Sequence, residues 1–196
     1  MKDSAVENKI FVTIVDFQGD FVLSNAKLPV HGAENIIAPL ATFLSRLDEN
    51  EVEGVLFTFD THDAEPYAKS EEGGMFPLHC EKGTPGWELV LNQNLVPSSI
   101  PVYTMEKGVF DMWAEDDLPI SPTIYSRDGF FERLKDFGVD TIAIAGVAAD
   151  FCVKDAIAGF IKRGFKVIVH RDLTAGIERQ IDQVIEEEFP GQVEIV

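Results

Sequence analysis

Thr141-Ile-Ala-Ile-Ala145-Gly-Val-Ala-Ala-Asp-Phe-Cys152-Val-Lys-Asp-Ala-Ile-Ala-Gly-Phe-Ile-Lys-Arg-Gly164 reads as one complete strand-to-helix unit. Thr141 to Ala145 is apolar or β-branched without alternation, as a strand covered by helices on both faces requires. Val153, Ala156, Ile157, Phe160 and Ile161 then recur at helical spacing, and Gly164 stands where a left-handed C-terminal cap belongs. The same pattern recurs along the chain. Ile10 to Val15 is a strand run that stops at Asp16, Val55 to Phe59 stops at Asp60, and Ile100 to Met105 leads to Lys107. Phe165 to Val169 is a fifth run. Helical stripes fall between or after them: Ile36, Ile37, Leu40, Phe43, Leu44 and Leu47; Phe130, Phe131, Leu134 and Phe137; Ile177, Ile181, Val184 and Ile185. Alternating β and α elements imply an α/β fold of three layers, α/β/α, with a central, mostly parallel sheet flanked by helices. No repeat, low-complexity tract or linker divides residues 1–196, so a single domain is expected. Ligands in such folds collect at the carboxyl ends of the strands, and the polar residues there are the ones to interrogate.

Composition narrows the function classes. The chain has 196 residues, 45% hydrophobic, with a net charge of −18. That is enough apolar material for a core without disulfides. The negative field opposes nucleic acid and anionic membrane surfaces, so neither is an expected partner. Two cysteines make no disulfide framework, and Met1 to Lys9 lacks the apolar core of a signal peptide. A cytoplasmic location is therefore expected.

Four strand ends carry suggestive groups: Asp16, Asp60 with His62, Lys107, and the turn from Gly146 to Cys152. Taken singly they are a turn aspartate, a surface lysine and a small buried thiol. Taken together on one sheet edge they suggest a nucleophile with its helpers. Cys152 falls at a helix N-terminus, where unpaired N–H groups and the helix dipole favour thiolate. Attack on an amide carbonyl needs a base, for which Asp16 serves, and a cation, for which Lys107 serves. Backbone N–H groups of the Gly146–Cys152 turn can receive the oxyanion. Asp60 and His62, two residues apart on an extended segment, can share one ion, with His79 as a further imidazole and Glu71 and Glu72 between. Mixed nitrogen and oxygen donors suit a divalent metal such as Zn²⁺, Fe²⁺ or Mn²⁺.

These residues resemble the motifs of the isochorismatase-like cysteine hydrolases. Val15-Asp-Phe-Gln-Gly-Asp-Phe21 is similar to their VDxQNDF, and Thr58-Phe-Asp-Thr-His62 to TxDWH. Phe76-Pro-Leu-His-Cys-Glu-Lys-Gly-Thr-Pro-Gly-Trp-Glu-Leu89 resembles FPxHCxxGTxGxEL, Lys107-Gly108 their KG, and Gly146-Val-Ala-Ala-Asp-Phe-Cys-Val153 their GVATDxCV. The Asp/His metal set points to the nicotinamidase/pyrazinamidase subgroup. The resemblance implies Cys152 as nucleophile, Asp16 as general acid/base and Lys107 as the third triad member. It implies Asp60, His62 and His79 as metal ligands. It implies the N–H groups of Ala148 and Cys152 as oxyanion donors, with a cis bond between Val147 and Ala148. Phe21 and Phe76 match positions lining the ring pocket.

The departures are specific. Asp63 to Tyr67 lacks the second histidine that some members carry, whereas others use a glutamate seven residues before the last histidine. That glutamate is Glu72 here, with Glu71 as its competitor. Asp111 to Asp128 matches nothing in the motif set. Phe110 and Trp113 are candidates for the pocket wall there, although a core aromatic is the commoner reading. Cys80 is read as packing. The implied activity is hydrolysis of a small amide substrate such as nicotinamide, and the resemblance also implies self-association. Two rival readings are a metal-independent hydrolase acting on another small molecule and a non-catalytic ligand-binding module on the same fold.

Overall fold

The computed structural model describes residues 9–116 and 118–196. Six strands form one sheet: β1 (Ile10–Val15), β2 (Val52–Asp60), β3 (Val102–Lys107), β4 (Thr141–Val147), β5 (Lys166–Ala175) and β6 (Val193–Ile195). Their order is β3-β2-β1-β4-β5-β6, and every adjacent pair is parallel. The helices are α1 (Gly19–Val22), α2 (Ile37–Ser45), α3 (Ala64–Tyr67), α4 (Arg127–Asp136), α5 (Cys152–Lys162) and α6 (Ile181–Glu188).

The unalternating strand runs are explained by two cores, one on each face of the sheet. Phe11 and Val15 of β1 pack with Phe130, Phe131, Ile157 and Val184 from α4, α5 and α6. Val12 and Ile14, pointing the other way, pack with Leu40 and Leu44 of α2. The helix α5 ends as its sequence suggests. Gly164 has φ +80°, its N–H donates to Ile161, and the N–H of Phe165 donates to Phe160. The Phe160 and Phe165 rings meet across that turn at 5.9 Å, the apolar contact that accompanies such a cap.

Two elements differ from the sequence reading. β5 continues past Val169 through His170, Arg171 and Asp172 to Ala175. The three-residue β6 was not foreseen, being too short to show a period. The segment that matched no motif also finds its place. Thr104 and Ser121 exchange two backbone hydrogen bonds of 2.9 Å, which laps the segment against the edge of β3. Trp113 packs on Phe160 and Phe131 at 5.0 and 5.5 Å, so it is a core aromatic. Gly159 makes room for it, since a Cβ there would meet its ring nitrogen at 1.9 Å. Among the described residues no helix is long and apolar enough to cross a membrane.

The strand order reverses direction between β1 and β4, and folds of this kind place their ligands beyond the carboxyl ends at that point. Asp16 follows β1 there, and the turn leading to Cys152 follows β4. Gly146 lets the two strands close: its φ is +117°, and a Cβ would lie 2.1 Å from the Val15 carbonyl oxygen.

Candidate active site

Asp16 sits one residue beyond β1 with φ +44°, a left-handed conformation that turns the chain sharply out of the strand. Thr58 on β2 holds it twice. The Thr58 hydroxyl donates to Asp16 Oδ1 at 2.6 Å, and the Asp16 N–H donates back to the hydroxyl oxygen at 3.1 Å. Lys107 reaches in from the end of β3, and its Nζ pairs with Asp16 Oδ2 at 2.8 Å. The same Nζ pairs with Asp60 Oδ1 at 3.2 Å, donates to the Val109 carbonyl at 3.1 Å and lies 3.6 Å from Cys152 Sγ. Cys152 is the first residue of α5 and is 3% exposed. Three residues separated widely in sequence thus meet around one ammonium group.

Burial sets the protonation states. It pushes the Asp16 carboxyl up, with Asp60 adding to that and Lys107 opposing it. Burial also pushes the Cys152 thiol well up, against the pull of Lys107, and both Asp16 and Asp60 reinforce the rise. The helix-terminal effect expected from sequence is therefore overridden, and the resting group is a thiol. Lys107 is held charged, because Asp16, Asp60 and Cys152 outweigh the cost of its burial. A charged lysine against a carboxyl of raised pKa and a thiol is an arrangement able to pass one proton between sulfur and oxygen.

Asp60, His62, Glu72 and His79 form the second cluster, all buried, with one ligand atom from each inside a 4.8 Å span. Asp60 Oδ2 lies 3.0 Å from His62 Nε2 and 3.1 Å from His79 Nε2. Glu72 Oε1 lies 3.3 Å from each of the same nitrogens. Both Glu72 oxygens are buried without a well-directed hydrogen bond, an arrangement a cation would relieve. Glu71 is exposed and outside the cluster. His79 Nδ1 faces the Pro77 carbonyl at 2.8 Å, which leaves Nε2 free as a ligand. Two imidazole nitrogens and two carboxylates, closing on one point, fit a divalent metal. Burial lowers both imidazoles, but Asp60 and then Glu72 beside them outweigh it and raise each to about 9. Asp60 lies well below the usual carboxylate range: Lys107 and the two imidazoles overcome burial.

Several supporting residues were not singled out from the sequence. Gln18 pairs with both main-chain groups of Asp60: its Nε2 donates to the carbonyl and its Oε1 accepts from the N–H, each at 2.8 Å. The amide thus acts as one more rung of the β1–β2 ladder and fixes the end of β2. Its signal was available, since a glutamine two residues past Asp16 carries a donor and an acceptor together. Asp20 accepts the Cys80 N–H at 2.8 Å and so anchors the chain beside His79. Asp150 accepts the N–H groups of Ile177, Glu178 and Arg179 at 2.7–2.9 Å, tying the turn before Cys152 to the loop before α6. Nothing in the local sequence marks that long-range clamp.

The bond between Val147 and Ala148 is cis, where the resemblance implied it. Among the described residues, neither the Ala148 nor the Cys152 N–H donates to a backbone carbonyl. Phe76 and Phe110 meet edge-on at 5.8 Å, and Phe151, missed from sequence, closes the group at 5.5 and 5.2 Å from them. Phe21 packs at 5.1 Å from the His79 ring. Cys80 is buried with its thiol pushed far up by burial, which suits packing.

Known proteins share this arrangement of elements. The family model for the isochorismatase domain matches residues 10–185. The nicotinamidase/pyrazinamidase of Mycobacterium tuberculosis is 26% identical over 193 residues, covering 93% of this chain and 96% of that protein. The nicotinamidase of Saccharomyces cerevisiae is 24% identical over 200 residues, covering 84% and 87%. The crystal structure of the pyrazinamidase of Pyrococcus horikoshii in complex with zinc matches with a TM-score of 0.74 and 25% identity, covering 96% of this chain and 98% of that one. The chain therefore belongs to the isochorismatase family, on the side of it occupied by the nicotinamidase and pyrazinamidase amidohydrolases.

Proposed function

We propose that the chain hydrolyses nicotinamide to nicotinate and ammonia through a thioester on Cys152, with a divalent metal held by Asp60, His62, Glu72 and His79. One observation carries the reading: the Lys107 ammonium pairs with Asp16 at 2.8 Å and with Asp60 at 3.2 Å while lying 3.6 Å from Cys152 Sγ. It joins a nucleophile and its base to the ligand cluster.

Cys152 waits as a thiol, so its proton leaves only as the sulfur closes on the amide carbon. Asp16 receives that proton, its raised carboxyl suiting it to do so. Lys107 offsets the charge that builds on sulfur and carboxylate in turn. The N–H groups of Ala148 and Cys152 take the oxyanion. When the tetrahedral species collapses the C–N bond breaks, and Asp16 gives its proton to the leaving group, which departs as ammonia. Water then attacks the thioester and passes a proton to Asp16; the C–S bond breaks, the sulfur recovers that proton, and the carboxylic acid leaves and ionises to nicotinate in water. A bound divalent ion would supply a Lewis-acidic anchor for the pyridine nitrogen. Phe21, Phe76 and Phe110 would flank the ring.

A metal-independent hydrolase would have no use for Glu72, a carboxylate buried beside two imidazoles without a good partner. Ammonia release from nicotinamide, pyrazinamide and an acyclic amide, with and without a chelator, tests the proposal. Turnover of the two aromatic amides should be lost on chelation and restored by metal. Equal turnover of all three, indifferent to chelation, would sink it.

A further inference from the structure

Of the four ligand residues only Asp60 lies within a strand; Glu72 opens a short 3-10 turn (Glu72–Gly74) and His79 lies in irregular chain, both between α3 and β3. Tyr67, the last residue of α3, is what the other three share. Its ring lies 4.5 Å from the His62 imidazole and 5.5 Å from that of His79, the latter edge-on at 87°. Its hydroxyl is 3.3 Å from His79 Nδ1. The same hydroxyl lies 3.1, 3.2 and 3.4 Å from the carbonyl oxygens of Phe76, Pro77 and Glu72. The side chain is buried, with only 5% of the residue exposed. The backbone is fitted to it as well. Ser70 Oγ donates to the Tyr67 carbonyl at 2.8 Å and accepts the Gly73 N–H at 3.0 Å. A Cβ on Gly73 would meet the Tyr67 carbonyl oxygen at 2.1 Å, so the turn carrying Glu72 closes directly onto this residue.

We propose that Tyr67 is the positioning residue of the metal site, on the reading of Asp60, His62, Glu72 and His79 as ligands. Its ring sets the planes of both imidazoles. Its hydroxyl, whose single proton can go to the Phe76 or the Pro77 carbonyl, holds the chain before His79 in place, which puts the Pro77 oxygen against His79 Nδ1 and turns Nε2 toward the ion. Tyr67 touches no substrate in this scheme and acts only through the ligands.

The test is Co²⁺ titration of the chelator-stripped full chain, reading the visible absorption band and the dissociation constant. Wild type, Tyr67→Phe, Tyr67→Leu and Glu72→Gln are compared, with thermal unfolding of each metal-free protein as a check on folding. Tyr67→Phe keeps the ring and should weaken Co²⁺ binding about tenfold with a shifted band; Tyr67→Leu should weaken it about a hundredfold. Wild-type affinity and an unchanged band in Tyr67→Phe would overturn the proposal, even if that variant unfolds at lower temperature. A wild-type protein that takes up no Co²⁺, or a Glu72→Gln variant that binds like wild type, is a separate failure, that of the ligand reading itself.

Discussion

Asp60 and Lys107 are register partners on the neighbouring strands β2 and β3, and the Lys107 ammonium lies 3.2 Å from the Asp60 Oδ1 oxygen. The other Asp60 oxygen faces the two imidazoles, so one carboxylate serves both clusters. Lys107 is correspondingly the only cation of the described residues seen between Asp16 and Asp60, both fully buried. Lys107→Met should destabilise the metal-free protein by about 3–5 kcal/mol, because the buried Asp16 carboxylate loses its charged partner while Asp60 keeps the two imidazoles. It should also reduce kcat/KM by about 10²–10⁴-fold. Urea unfolding with steady-state ammonia release measures both; a stable and active variant would remove Lys107 from the scheme.

The Cys152 thiol is buried and its pKa is pushed well up. Alkylation by iodoacetamide should therefore be slow at pH 7 and accelerate as pH rises, since the thiolate is the reacting species. Slow modification of the free protein is thus compatible with a nucleophilic role. Cys152→Ala should abolish ammonia release. Peptide mapping separates Cys152 from Cys80, and a rate that is fast and flat from pH 6 to 8 (roughly the range over which an ordinary thiol remains protonated) would contradict the buried-thiol state.

The strands were legible because burial on both faces leaves an unbroken apolar run, and the strand-end residues were legible because such folds bind at that edge. Asp16, Asp60, Lys107 and Cys152 each follow directly from those two facts. Glu72 could be chosen over Glu71 only by resemblance, since neighbouring acids look alike until the turn that buries one and exposes the other is known. The thiol's protonation state was misjudged for a related reason: a helix terminus is visible in sequence, whereas complete burial beside Asp16 and Asp60 is a tertiary property. Asp150 was hidden because its three partners lie 27–29 residues away.

Gly146 offers a test of the switch point. Its φ of +117° disfavours any side chain, and a Cβ would meet the Val15 oxygen, nitrogen and carbon at 2.1, 2.6 and 2.8 Å. These are backbone atoms that cannot swing aside, and the next residue along is Asp16. Gly146→Ala should cost about 3 kcal/mol or more and lower activity in the fraction that folds. Denaturant unfolding measures this; a loss below about 1 kcal/mol would show that β1 and β4 can separate at little cost.

Metal binding should be strongly coupled to protons. In the metal-free protein His62 and His79 are each raised from 6.5 to about 9, so at pH 7 both imidazoles are charged. An ion must displace those protons, because its ligands are neutral imidazoles. Calorimetric titration with Zn²⁺ at pH 7, repeated in buffers of different ionisation enthalpy, should report about two protons released per ion. The apparent dissociation constant should accordingly rise about a hundredfold for each pH unit below 9. The metal-free fold should show the opposite trend. A histidine whose folded pKa is raised stabilises the fold fully below its unfolded value of 6.5 and loses that contribution as pH climbs through about 9. Chelated protein should thus weaken between pH 7 and 9 while loaded protein gains. Zinc uptake with no proton release would mean that the ion binds elsewhere or that the two imidazoles are neutral before it arrives, and either result would remove the charge-balanced quartet from the description of this site.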